Sequence, residues 1–293
     1  MTDESTLDLV FWPGPVRNKP FVEHVRAAKA GGFTSLAVGA DTYRAATASG
    51  LSPRAIVGMA EEAGVPIRHF EAFADWAPVD LAAGGGALKN KFDPAGGDAF
   101  AIAQRLGVRT ILAFPAFEVS QAPPVDVLIE GFAQLCDRAA DAGMDVQLEF
   151  VPVLGVPHLS DAWAIVRQAD RPNSGITIDM WHFFRGDYDL NLLRSIPARY
   201  LWSVQLADGA REPQGESLAD DGLNYRAFAG EGDIPVVDVA RILAEKGNLR
   251  QAGPETFSRV ADAMDPADAG RRDGTAARTV LAQAGIRVPK QMI

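Results

Sequence analysis

The chain has 293 residues, 47% of them hydrophobic and 23% charged, which is enough apolar material for a sizeable core and excludes a disordered or fibrous protein. Its formal charge of -10 at pH 7 repels polyphosphate, and no basic stripe with interleaved aromatics is present, so nucleic acid is excluded as a partner. One cysteine, Cys136, rules out a disulfide framework, and no apolar run approaches the roughly 18–20 residues of a membrane span.

The first residues, "MTDESTLDLVFW", are acidic and lack the basic and apolar regions of a signal peptide, so a cytoplasmic location is expected. Apolar runs then recur along the chain and read as strands. They are "LDLVF" (7–11), "TSLAVG" (34–39), "IRHFEAF" (67–73), "RTILAF" (109–114), "DVQLEFV" (145–151), "GITIDM" (175–180), "LWSVQLAD" (201–208) and "GPETFS" (253–258). Between them lie Ala-rich stretches with helical spacing, such as "FVEHVRAAKAG", "SPRAIVGMAEEAG" and "DVLIEGFAQLCDRAADAG", and several end in Gly as a helix C-cap does. "AAGGGALKN" (82–90) reads as a rim loop after the third strand.

Strands that are apolar throughout and separated by helices imply a parallel sheet covered on both faces. Eight such units predict one closed (β/α)8 TIM barrel over residues 1–293. The alternative, an open doubly wound sheet, calls for a G-x-G-x-x-G turn after the first strand, and the chain has "FWPGPVRNK" there.

A barrel of this kind does its chemistry at the C-terminal ends of the strands. Four oxygen-bearing side chains stand there on consecutive strands: Glu149 in "QLEFVP", Asp179 in "IDMWHF", Gln205 in "VQLADG" and Glu255 in "GPETFS". Any one of them alone reads as an ordinary loop hydrogen-bonder. Together, three acids that close repel one another unless a cation neutralises them. An all-oxygen set suits Mg²⁺ or Mn²⁺, with the Gln205 carbonyl as a ligand that adds no charge.

His69 and Glu71 alternate on the third strand and are both expected at the mouth as substrate contacts. Trp12, with Trp76 and Phe117, is expected to form an apolar wall of the pocket, against the plainer reading of rim packing. Arg211 and Arg226, in the loop after the seventh strand, are candidates to pair with an anionic substrate group, against a surface ion pair. His24 on the first helix and Glu118 after the fourth strand are expected at the surface.

"IDMWHFF", "VQLAD" and "NYRAFAGEGDIPVVDVARIL" together resemble the xylose-isomerase-like TIM barrels, a group that includes sugar isomerases, ketose 3-epimerases, inosose dehydratase and endonuclease IV. The resemblance runs over roughly residues 7 to 285. It implies that Glu149, Asp179, Gln205 and Glu255 are divalent-metal ligands and that His182, three residues after Asp179, contacts substrate beside the metal. Many members carry His where this chain has Gln205. Gln followed by L-A-D resembles the 3-dehydroshikimate dehydratases of the group. That likeness also singles out His158 in "VPHLSDAW" and Arg226 in "NYRAFAGEGD" as substrate contacts. The chain departs from those dehydratases after the third strand, where "HFEAFADWAP" holds no Arg.

The function expected is a metal-dependent lyase acting on a hydroxy-keto small molecule. Glu149 or Glu255 takes an α-proton, and His182 donates or accepts one on the other side. A sugar or polyol isomerase or epimerase shares the same enolising step and stays open, as does a barrel that binds without catalysis. DNA repair like that of endonuclease IV needs more than the four histidines present. The expected partner is a small molecule, carbohydrate-like or a cyclic hydroxy-ketone. No membrane is expected, and a homo-oligomer is compatible with the sequence.

Overall fold

A computed structural model of the chain describes residues 7–79 and 98–288. Eight parallel strands close on themselves in sequence order: β1 Asp8–Phe11, β2 Ser35–Val38, β3 Ile67–Phe73, β4 Thr110–Ala113, β5 Asp145–Leu148, β6 Ser174–Asp179, β7 Leu201–Leu206 and β8 Gln251–Pro254. Closure is made by β8 pairing β1, Asp8 opposite Gln251 and Leu9 opposite Ala252. The (β/α)8 barrel expected from the alternation is therefore the observed fold.

Helices fill each crossover: α1 Phe21–Ala30, α2 Ala40–Ala48, α3 Pro53–Glu62, α4 Ala99–Leu106, α5 Val125–Asp141, α6 Leu159–Ala169, α7 Met180–Arg185, α8 Leu190–Ser195, α9 Leu218–Asn224, α10 Val236–Lys246, α11 Arg259–Asp262 and α12 Pro266–Gln283. Local chemistry sets their ends. Ser52 caps α3 by accepting from the Ala55 N–H, with Pro53 in the first turn, where no N–H is missed. Gly107 and Gly247 end α4 and α10 in the left-handed conformation, at φ of 68° and 70°. The α2 helix went unforeseen in the sequence; its Tyr43 and Ala46 are buried on one face.

Most strand side chains that face outward join a large apolar core shared with the helices, Phe11, Leu36, Phe70, Ile111, Val146, Ile178 among them. Inside the barrel, Val10, Trp12 and Ala37 form a small apolar cluster of their own. The eighth strand begins and ends earlier than the apolar run suggests. Gln251 opens it and is only 3% exposed, so a polar residue hides its start. The chain leaves the sheet after Pro254, and Glu255 lies just past the strand rather than in it. The segment 82–90 lies outside the described residues. Among the described residues, no helix is long and apolar enough to cross a membrane.

Candidate metal centre at the barrel mouth

Parallel register brings the strand-end residues to one level. Asp179 stands opposite Gln205 on β6 and β7, and Gln205 opposite Gly253 on β8. Glu149 follows β5 directly and its N–H still donates to Ala113 O at 3.0 Å; the Glu255 N–H does the same to Leu206 O at 2.9 Å. Each residue is thus held at its strand end by one further ladder bond. All four are buried.

Their side chains converge. Gln205 Nε2 donates to Glu255 Oε2 at 3.1 Å. His182, in the first turn of α7, places Nε2 3.6 Å from Glu149 Oε1 and 3.9 Å from Asp179 Oδ2. Ligand atoms of Glu149, Asp179 and His182 all lie within 4.8 Å of one another. Asp179 Oδ1 accepts from the His182 N–H at 2.9 Å, so the α7 N-cap also fixes the direction of the carboxylate. Arg226 Nη1 donates to the other oxygen, Asp179 Oδ2, at 2.7 Å and to Glu255 O at 3.1 Å, while Nη2 lies 3.3 Å from His182 Nε2. The Arg226 guanidinium is stacked between Trp181 and Phe257, 5.0 and 5.1 Å from the ring centroids.

Buried atoms at this mouth that lack a protein partner include Gln205 Oε1, Glu255 Oε1, Glu71 Oε2 and His182 Nδ1. An amide that gives its N–H to a neighbour and keeps its carbonyl free has the chemistry of a neutral metal ligand. With the carboxylates of Glu149 and Asp179 beside it, the donor set fits a hard divalent cation. His182 adds a nitrogen within reach of the same point, which the reading of His182 as a substrate contact alone did not include.

Burial dominates the electrostatics. It pushes the Glu149 carboxyl well above the ordinary range, helped by the charges of Asp179 and Glu255 and opposed by Arg226. Burial likewise raises Glu255. Asp179 differs: burial works against its ionisation, but Arg226 and His182 overcome it and hold the carboxyl below its usual value. Burial lowers His182 to about 4, so its imidazole is neutral at pH 7. Two buried carboxyls that resist ionisation beside a third that is held ionised are a crowding that a bound cation relieves.

Glu71, on β3, comes to the same mouth. Its carboxyl neighbours that of Glu255, and the two interact electrostatically. Burial first, and then the charges of Glu255, Glu149 and Asp179, push Glu71 far up. Trp12 sits at the mouth as well, its ring edge 3.0 Å from where a Cβ on Gly253 would stand. His158 is half-buried at the start of α6 beside Gly186.

Other candidates lie apart. His69 is one layer below the mouth, where its Nε2 lies 3.1 Å from Asp8 Oδ2. Trp76 is packing rather than pocket wall: Nε1 donates to Phe114 O at 2.9 Å, and its ring meets Phe117 and Phe132. His24, expected at the surface, is fully buried, with Nε2 3.0 Å from Lys19 O. The expectation failed because α1 is covered on its His24 side. Glu118 and Arg211 are exposed.

Two residues that organise the site were given no role from the sequence. Asp208 ends "SVQLAD", and its carboxylate accepts from the N–H groups of Gly209, Gly230 and Ile234 at 2.8–2.9 Å. A Cβ on Gly232 would come within 2.4 Å of Asp208 Oδ1, so the "GEGD" turn needs glycine there. Backbone pairing of Asp208 with Ala227 sets the chain next to Arg226. Arg185, its side chain 4% exposed, joins Asp221 at 2.9 Å and donates to Arg211 O and Ala210 O, fastening the loop after β7 to α7. The signal for Asp208 was present, since an acid just past a strand and a Gly-rich turn downstream form one anion–amide arrangement.

Fold and site together define a (β/α)8 barrel with a buried carboxylate–amide–imidazole cluster at its C-terminal mouth. The model of the xylose isomerase-like TIM barrel family matches residues 25–277, and the chain belongs to that family. The chain is similar to a 3-dehydroshikimate dehydratase of Pseudomonas putida, 27% identical over 198 residues, which are 66% of this chain and 29% of the relative. It therefore spans only a minor part of that relative's length. It is also similar to an inosose isomerase of Bacillus subtilis, 27% identical over 161 residues, 52% of this chain and 55% of that one. Among solved structures, an IolI protein with a bound zinc atom shares the fold at a TM-score of 0.79 and 17% identity, covering 95% of this chain and 98% of that one.

Proposed function

We propose that the chain is a divalent-metal-dependent enolising lyase that dehydrates a small hydroxy-ketone, in the manner of 3-dehydroshikimate dehydratase. The observation that carries this reading is Gln205: a buried amide at the ligand position, its Oε1 free and its Nε2 on Glu255. The dehydratase name among the relatives supports it.

Glu149, Asp179, Gln205 and Glu255 would hold the cation, with Mn²⁺ or Mg²⁺ favoured by the oxygen donors. A divalent cation bound there supplies Lewis-acid polarisation of a carbonyl and neutralises developing charge. The chain's own groups do the rest. Glu149, raised by burial and by like charges, is the base that removes the α-proton and can return it to the departing β-hydroxyl, which leaves as water. His182 is neutral at pH 7, and its Nε2, which faces the donor-only Arg226 guanidinium, is the lone pair that can take up a proton on the opposite side. Glu71, pushed up by burial and by the neighbouring carboxylates, faces the same space and contacts a substrate hydroxyl. Trp12 closes one wall, and His158 stands at the rim. Arg226, expected from the sequence to meet substrate, is buried with its guanidinium engaged by Gly222, Asp179, Glu255 and His182, and its role here is to orient Asp179 and His182.

Incubation of the metal-loaded protein with 3-dehydroshikimate tests the reading. The ultraviolet band of an aromatic product is expected. Its absence, with turnover of a ketose or inosose panel, selects the isomerase reading, which the inosose isomerase relative favours. A cytoplasmic location, proposed from composition, accords with a substrate of this kind.

A further inference from the structure

The interior of a TIM barrel is ordinarily filled by bulky branched side chains in layers. Here the level beneath the mouth carries several polar side chains, beside apolar Val10 opposite Ser35 and Leu112 opposite Gln147. Side chains alternate along a strand, so residues two positions before the inward-facing mouth groups also face inward. Those residues are His69 below Glu71, Gln147 below Glu149, Thr177 below Asp179 and Ser203 below Gln205. Ser35 takes the matching place below Ala37, which lies in the interior cluster with Val10 and Trp12.

Every one of these side chains is buried. Thr177 Oγ1 donates to Gln147 Oε1. Four other polar atoms of the layer have no protein partner: Gln147 Nε2, Ser203 Oγ, Ser35 Oγ and His69 Nδ1. Buried polar groups in folded proteins are satisfied almost without exception, by protein or by ordered water. The chemistry of these four is complementary through water. Asp8 accepts from Thr34 at 2.6 Å and lies 3.1 Å from His69 Nε2, and these bonds hold its carboxyl ionised against burial. An ionised partner places a proton on Nε2 and leaves Nδ1 as the ring nitrogen without a protein partner. Gln147 Nε2 is a donor, and the two serine hydroxyls can be either. One buried water makes about three hydrogen bonds of this kind.

We propose that this layer is a built site for ordered water: a hydrated chamber across the middle of the barrel, walled by Ser35, Gln147, Thr177 and Ser203 and closed at its far end by the Asp8–His69 pair. The unpartnered atoms define where the water binds. The chamber adjoins the mouth above. Below, the Asp8 side chain is 17% exposed and its other partner Arg68 33% exposed, so the polar track reaches bulk solvent at the closed end of the barrel. Its use follows if the proposed dehydratase reading holds: with substrate filling the mouth, protons exchange with solvent from beneath.

The test is a count of long-lived internal waters by magnetic relaxation dispersion in the full chain and in Ser203→Val and Ser35→Val, each of which replaces an unpartnered hydroxyl with methyl groups. At least one long-lived water is expected in the unsubstituted protein, with the count falling in one or both variants while metal binding is kept. No long-lived water, or a count that neither substitution changes, overturns the chamber. Should both variants fail to fold, a high-resolution crystal structure decides: water density within hydrogen-bonding distance of Gln147 Nε2 and His69 Nδ1 supports the proposal, and a dry interior removes it. The count needs no substrate, so failure of the dehydratase assay leaves it standing.

Discussion

Arg226 Nη1 donates to Asp179 Oδ2 at 2.7 Å, with the two side chains 3% and 0% exposed. A buried pair of this kind is weak evidence of net stabilisation, but removing one partner strands the other charge and costs about 3–5 kcal/mol. Arg226→Met should therefore lower the unfolding free energy of the metal-free protein by about that amount in a urea titration. Added Mn²⁺ should stabilise the variant more than the parent, since a cation near Asp179 replaces the missing guanidinium charge. A variant as stable as the parent without metal would mean that Asp179 has another partner.

Gln205 sets the metal preference. Gln205→His exchanges a hard amide oxygen for imidazole nitrogen, which suits Zn²⁺. Competition titrations should show the Zn²⁺ to Mn²⁺ affinity ratio rising in Gln205→His relative to the parent. An unchanged ratio would place Gln205 outside the coordination sphere.

Asp208 gathers three backbone amides into one carboxylate. Asp208→Asn turns one acceptor oxygen into a donor facing N–H groups, so a loss of about 1–3 kcal/mol is expected. Hydrogen exchange should locate the loss: the amides of Gly230 and Ile234 should exchange faster, while those of β1 to β4 keep their protection.

Asp273, on α12, is fully buried, and burial raises its carboxyl from 3.8 to about 8 despite a bond from Thr256 Oγ1 at 2.8 Å. The sign follows from proton counting. Between pH 3.8 and about 8 the folded chain keeps this proton and the unfolded chain has lost it, so stability from this group falls as pH rises through that window. Asp273→Asn mimics the neutral acid. Its Tm should match the parent near pH 4 and exceed it at pH 9. Parallel Tm curves for the two proteins across that range would contradict the assignment.

Much of this was readable before any coordinates. Eight apolar runs separated by helical spacing define the barrel, and the strand ends bearing Glu149, Asp179 and Gln205 are where periodicity puts them. What could not be read depends on groups that meet only in three dimensions. Gln251 looks like a loop residue because its amide is polar, and only its inward place in the barrel makes it a strand residue. His69 and Glu71 share one strand face, but the chain does not reveal that Asp8, 61 residues from His69, lies beside the imidazole. Arg226 was visible as a cation, whereas its burial against Asp179 depends on the Asp208 turn. His24 shows the reverse error, an amphipathic helix whose covered side was misjudged.

The direct measurement is calorimetric titration of the metal-free protein with Mn²⁺ and Mg²⁺, repeated on Glu149→Ala and Glu255→Ala. Stoichiometric binding by the parent and none by either variant is expected. Equal binding by all three proteins, or no binding by the parent, would contradict a cation held at the barrel mouth and with it the chemistry assigned to this chain.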